Sequence, residues 1–265
     1  MLPKVQPFDP VVRQPRHHAH FTLPARRWLD QRANREDAAG TRYILGMFVG
    51  HYGVALAAKS RAPHASLGIL IIAAQLVDLV WPVLLLLGIE RVSIVPSDNP
   101  FLRLSFDSYP WTHSLVTTVL WGVLAGVAYG AIRRDRAAGI IVGLLVVSHW
   151  VLDWITHVPD LPLYPGGPRV GLGLWNSVGA TMIVETLVFL AGLVIYARST
   201  RAVDRTGRWA LWAFVAFLAL VHVANAYSPP PPSATAVAWA SLSAWLIPLF
   251  GWWVDRHRTP TRQPA

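Results

Sequence analysis

The chain contains no cysteine among its 265 residues. Disulfides and thiolate metal sites are therefore excluded, and zinc-finger and thiol-redox functions go with them. Charge is scarce as well. Only 14% of residues are Asp, Glu, Lys or Arg, where an ordinary soluble domain carries about a quarter. That deficit, with 54% hydrophobic residues and 13 Trp, excludes a typical soluble domain. It points to a polytopic membrane protein, because Trp belongs at membrane interfaces. Also missing are any RNA- or DNA-binding motif, any internal repeat and any heptad pattern. The net charge of +9 gathers in residues 1–42, "RRDR" (133–136), "RSTRAVDRTGR" (198–208) and "DRHRTPTR" (255–262). Basic clusters beside apolar segments are topology signals, and no nucleic-acid partner is expected.

Residues 1–42 are rich in Arg and His, with scattered Pro and no apolar h-region. They are expected to be neither a signal peptide nor folded, which makes 1–43 a disordered basic tail. Met47 opens "MFVGHYGVALAA" and is an alternative start. Residues 44–257 read as one helical transmembrane domain, and 258–265 as a disordered C-terminal tail.

A crossing helix needs about 20 apolar residues. Six windows qualify: 66–89, 114–132, 138–157, 176–196, 209–227 and 235–254. A seventh, 44–58, is either a stubby span or a re-entrant half-helix. The fold class is thus all-α, a polytopic helical membrane protein with six or seven transmembrane helices. Placing 59–65, 133–136, 198–208 and the C-terminus on the cytoplasmic side gives a consistent alternation. Then 90–113, 158–175 and "SPPPPS" (228–233) lie outside.

Several ionisable residues interrupt these apolar windows: His51, Asp78, His113, His149, Asp153, His157, Glu185 and His222. Each costs at least about 2.5–3.5 kcal/mol at a bilayer centre, so by default they mark function. Excepting His222, the alternation puts them in the extracytoplasmic half. His149, Asp153 and His157 run i, i+4, i+8 along one helix face. His149 and Asp153 can chelate one ion, whereas His157 lies about 12 Å further on. It would serve a second ion, the substrate or an outer shell. Imidazole and carboxylate without thiolate suit Zn2+, Mn2+ or Fe. We therefore expect His51, Asp78, His113, His149 and Asp153 to ligate one or two divalent ions, with Zn2+ preferred. Asp78 or Glu185, when not a ligand, is the candidate general base. Asp160 reads as a loop or cap residue, His222 and Asn225 as an interhelical hydrogen-bond pair, and Arg169 as a possible anion clamp in a Gly-rich loop.

"GHYGVALA" (50–57), "LVDLVWP" (76–82), "PWTHSL" (110–115) and "SHWVLDWITHVPDLPL" (148–163) together resemble the membrane-bound metal-dependent hydrolase family, also described as LexA-binding, inner-membrane-associated and YdjM-like. The resemblance spans roughly residues 46–165. It implies roles for His51, Asp78, His113 with Ser114, and His149 with Asp153. A more distant similarity joins the His149/Asp153 helix to all-helical zinc-dependent phospholipase C enzymes. There a second His-x-x-x-Glu helix would fall on Thr181/Glu185, with Thr in place of His. That departure favours one or two ions over a full three-metal cluster. The implied function is metal-dependent hydrolysis of a lipid or phosphoester, at a multi-pass protein of a bacterial-type inner membrane in contact with membrane lipids. The alternatives are a transporter or permease and a non-enzymatic membrane interaction protein.

Overall fold

The computed structural model describes residues 49–261. The expected basic tail and the start at Met47 lie outside the described residues. The chain forms α1 (Val49–Ala58), α2 (Leu67–Ala74), α3 (Leu76–Leu86), β1 (Arg91–Ile94), β2 (Leu104–Ser108), a one-turn α4 (Pro110–His113), α5 (Leu115–Arg133) and α6 (Arg136–Thr156). Then come β3 (Leu161–Pro162), β4 (Arg169–Val170), α7 (Val178–Ser199), β5 (Thr200–Ala202), α8 (Arg205–Tyr227), α9 (Ala234–Leu242), α10 (Leu246–Arg256) and β6 (Arg258–Pro260). Among the described residues the strands form three small two-stranded antiparallel sheets, β1–β2, β3–β4 and β5–β6.

Helix starts are written locally. Ser114, Asp135, Ser177, Asp204 and Ser233 each accept a backbone N–H from their helix's first turn. Such a side-chain cap satisfies a donor that has no partner within the helix. Among the described residues five helices are long and apolar enough to cross a membrane: α5, α6, α7, α8 and the continuous α9–α10 segment Ala234–Arg256. This is the build of a multi-pass helical membrane protein. Of the five, α6 is the most enclosed, and α5 turns most of its surface outward.

The window 66–89 is not one straight span. It breaks at Gln75 into α2 and α3, bent by 58°. Gln75 leaves the helical region (φ −116°, ψ 10°), and Pro82 inside α3 has no N–H to offer the Asp78 carbonyl. Only the part of 44–58 that forms α1 is described. Its ten residues reach about 15 Å, half a hydrocarbon core, and seven of them are buried. The C-terminal boundary also moves. Arg258–Pro260 was expected in a disordered tail, but it pairs with Thr200–Ala202. The Arg258 guanidinium holds this strand pair by donating to Thr200 Oγ1, Thr200 O and Gly207 O.

Hydrogen bonds sort the connections into two groups. Asn99 Nδ2 donates to Trp175 O, Arg103 to Ser228 O, and Arg169 to Phe106 O and Asp107 O. These tie 91–108, 157–177 and 228–233 together at one end. At the other end Lys59 Nζ contacts Asp255 at 2.6 Å, and His257 pairs with Asp204 at 2.7 Å. Among the described residues, the basic clusters 133–136, 198–208 and 255–261 keep to this second end. The structure therefore separates the loops into the two sets that the alternation separates.

Glycines let α5 and α6 approach closely. Gly122 and Gly126 of α5 face Gly143 and Gly139 of α6; a Cβ added at Gly126 would stand 2.7 Å from the Gly139 carbonyl oxygen, and one at Gly143 would stand 2.8 Å from that of Gly122. Such small-x-x-x-small seams replace hydrophobic driving force, which lipid does not supply between helices. Gly143→Leu should therefore destabilise the bundle by at least about 1–3 kcal/mol, the cost of overpacking. Thermal unfolding in detergent reads this, with outward-facing Val127→Ala (Val127 is 67% exposed) as the unaffected control.

Candidate metal centre

Five side chains from four elements meet beside the bent span. His51 comes from α1, Asp78 from α3, His113 from α4, and His149 and Asp153 from α6. His51 Nε2 lies 3.3 Å from Asp153 Oδ1. His149 Nε2 lies 3.2 Å from Asp153 Oδ2 and 3.7 Å from Asp78 Oδ1. His113 Nε2 lies 3.1 Å from Asp78 Oδ1 and 3.9 Å from Asp153 Oδ2. Two triads, His51–His149–Asp153 and Asp78–His113–His149, each bring three ligand atoms within 4.8 Å of one another. All five are buried except Asp78, which is half-buried. These groups can hold a metal ion.

The tautomers follow from the second nitrogen of each ring. His149 Nδ1 lies 2.7 Å from the Ala74 carbonyl oxygen, which can only accept. Nδ1 therefore carries the proton, and in the neutral ring Nε2 presents a lone pair. That carbonyl is free because Ala74 ends α2 at the bend. His113 is fixed in the same sense through a longer chain. Glu90, 1% exposed, accepts from Trp111 N–H, Thr112 N–H and the Thr112 hydroxyl at 2.8, 3.0 and 2.8 Å. With its proton given to Glu90, Thr112 Oγ1 accepts from His113 Nδ1 at 2.7 Å, leaving Nε2 to face Asp78. Neither ring nitrogen of His51, nor Asp153 Oδ2, makes a hydrogen bond. In their neutral form His113 and His149 thus turn lone pairs toward carboxylate oxygens in a buried space. Without positive charge between them this arrangement is costly. The donor set and the unsatisfied atoms both fit a bound cation.

Several sequence expectations need correction. His157 does not continue the His149–Asp153 face. Pro159 disfavours helix just before it, α6 ends at Thr156, and His157 becomes its C-cap. Its ring instead packs 3.9 Å from Trp175, centroid to centroid. Nδ1 lies 2.8 Å from Asp160 Oδ1, and Tyr109 also donates to that oxygen, at 3.2 Å. Asp160 is therefore more than a loop residue. Glu185 joins neither triad; it accepts the Gly50 N–H at 2.6 Å and so steadies the turn carrying His51. His222 bonds Thr186 of α7 at 3.3 Å, an interhelical contact whose partner is not Asn225. Arg169 donates to two backbone carbonyls and is not placed as an anion clamp.

Glu90 was not anticipated. A lone carboxylate just after an apolar run gives no spacing signal, and only the fold brings it to Thr112. His157 lines one cavity with Asp78, His113 and Asp153, so it still faces the space beside the cluster. No protein-family model matches the chain, and neither the curated proteins nor the solved structures give a match.

Two outcomes follow. Thr112→Val cuts the link from Glu90 to His113, and metal affinity measured against a competing chelator should fall about 10–100-fold, as for other outer-shell losses; Thr112→Ser should retain it. Burial, and secondarily the Asp160 carboxylate, push the Tyr109 hydroxyl above its ordinary pKa. The folded state then holds a proton that the unfolded chain releases near pH ~10. Its contribution is complete below that pH and is lost as pH rises. Tyr109→Phe should therefore flatten the alkaline decline of thermal stability.

Proposed function

We propose that the chain is a metal-dependent hydrolase of a bacterial-type inner membrane, with its site at the extracytoplasmic end and a lipid or phosphoester as substrate. The observation that carries this reading is the buried cluster itself: three imidazoles and two carboxylates, with the Nε2 lone pairs of His113 and His149 fixed by Thr112 and Ala74. With neutral imidazoles the charge is that of Asp78 and Asp153, which one divalent cation neutralises. His51, His149 and Asp153 would hold one ion; Asp78 and His113 would complete it or hold a second. Zn2+ suits this nitrogen and oxygen donor set. When bound, such an ion supplies a Lewis acid and a water whose pKa is lowered toward ~7.

The chain's own residues account for the remaining roles. Asp160 accepts the Nδ1 proton of His157, so the Nε2 of His157 is an acid–base group on the cavity wall. It is suited to protonating a leaving oxygen and returning to its neutral state. Asp78, half-buried and facing the same cavity, takes the water proton where it is not a ligand. Glu185 supports His51 through Gly50. The orientation rests on the basic loops, which gather at the end away from the cluster. The family resemblance, covering the same five residues, supports the hydrolytic reading.

Elemental analysis of detergent-purified protein tests this. Wild type should carry about one or two divalent ions per chain, and His149→Ala should lose them while remaining folded. Full metal content in His149→Ala would remove the ligand assignment.

A further inference from the structure

The cavity beside the cluster runs from Asp78, His113 and Asp153 to Arg103 and Ser228. Its walls are mostly apolar. Leu79 of α3 forms one side, while Val237 and Ala240 of α9, with Ala244, form the other. These α9 residues and Ala244 belong to Ala234–Arg256, a segment long and apolar enough to cross a membrane. Their small side chains leave a slot, and the slot reaches into the part of the molecule that lipid surrounds.

Arg103 is the one Lys or Arg on this cavity wall among the described residues. It forms no ion pair there. Nε donates to Ser97 O at 3.1 Å and Nη1 to Ser228 O, so both of these partners are neutral carbonyls. A guanidinium fixed in place by two carbonyls, beside an apolar slot and without a counter-anion, is built to receive an anion. The carboxylates sharing the cavity, Asp78 and Asp153, already face imidazoles.

Resting on the hydrolase reading above, we infer that Arg103 and the α3–α9 slot bind one amphiphile. Its phosphate sits on the Arg103 guanidinium, and its hydrocarbon tail lies between Leu79 and Ala240. The scissile phosphoester is thereby presented to the metal cluster. This places the specificity of the site in Arg103 for the anion and in α9 for the tail.

The test uses full-length protein in phosphatidylcholine nanodiscs and a phosphatidic acid probe with a photoactivatable acyl chain. The variants are Arg103→Gln and Ala240→Trp. Gln keeps N–H donors for the two carbonyls but removes the charge, and Trp fills the slot. Wild type should be labelled on Leu79 or on 237–244. Capture should fall about tenfold or more in Arg103→Gln, the size of a lost charge-assisted contact. It should disappear in Ala240→Trp, and both variants should keep wild-type metal content, which reports folding. Competition by glycerol 3-phosphate separates the two sources of phosphate. If it displaces the probe from wild type and Ala240→Trp still captures it, the ligand is a soluble phosphoester and the amphiphile is overturned. Undiminished capture by Arg103→Gln overturns the anion site. Loss of the hydrolase reading is seen separately, as wild-type protein that captures the lipid but holds no metal.

Discussion

The centre of this molecule is organised by unfavourable electrostatics that must be compensated. Asp78 and Asp153 sit in an apolar bundle with the nitrogens of His51, His113 and His149 at 3.1–3.9 Å. In the neutral rings two of those nitrogens present lone pairs, since the opposite side of each ring donates its N–H to Ala74 O or Thr112 Oγ1. Like-polarity atoms at such distances stay together only around positive charge. Much of the surrounding structure serves that arrangement. Glu185 holds Gly50 and so the turn bearing His51, Glu90 organises the short helix bearing His113, and the most enclosed of the long helices carries His149 and Asp153.

The two ends of the bundle have different chemistry. The end away from the cluster is closed by a largely buried pair, Lys59 with Asp255, by an exposed pair, His257 with Asp204, and by Arg258 across the β5–β6 strand pair. Tyr196 also donates to Asp255. At the cluster end, the loops are joined mainly by side-chain donors to backbone carbonyls, and an apolar cavity with one cation lies between them. A single layer of connections thus anchors one end and shapes a binding space at the other.

The long helices were legible because hydrophobic runs and Ser/Asp caps are local signals. Asp135 and Ser177 mark their helix starts within a few residues of the expected windows. The His149–Asp153 pair was legible for the same reason, as i and i+4 on one helix. The bend at Gln75 was not, since the window around it is uniformly apolar and the break depends on tertiary packing. His157 was misplaced because helical periodicity was carried past the point where Pro159 ends the helix. Glu90 and Arg103 lay beyond sequence reasoning altogether: both acquire their partners across tens of residues, from Thr112 and Ser228. The glycine seam of α5 and α6 was not read from the sequence, because small residues in an apolar run gain meaning only when the backbones are seen to touch.

The interruption at Gln75 ties the geometry of a span to the state of an imidazole. In an unbroken helix the Ala74 carbonyl would accept the backbone N–H four residues on, that of Asp78; the break frees it to receive the His149 Nδ1 proton. The same break sets the direction of α3, which carries Asp78 to the cluster. One kink therefore serves two of the five side chains, one through its backbone oxygen and the other through the path of the chain.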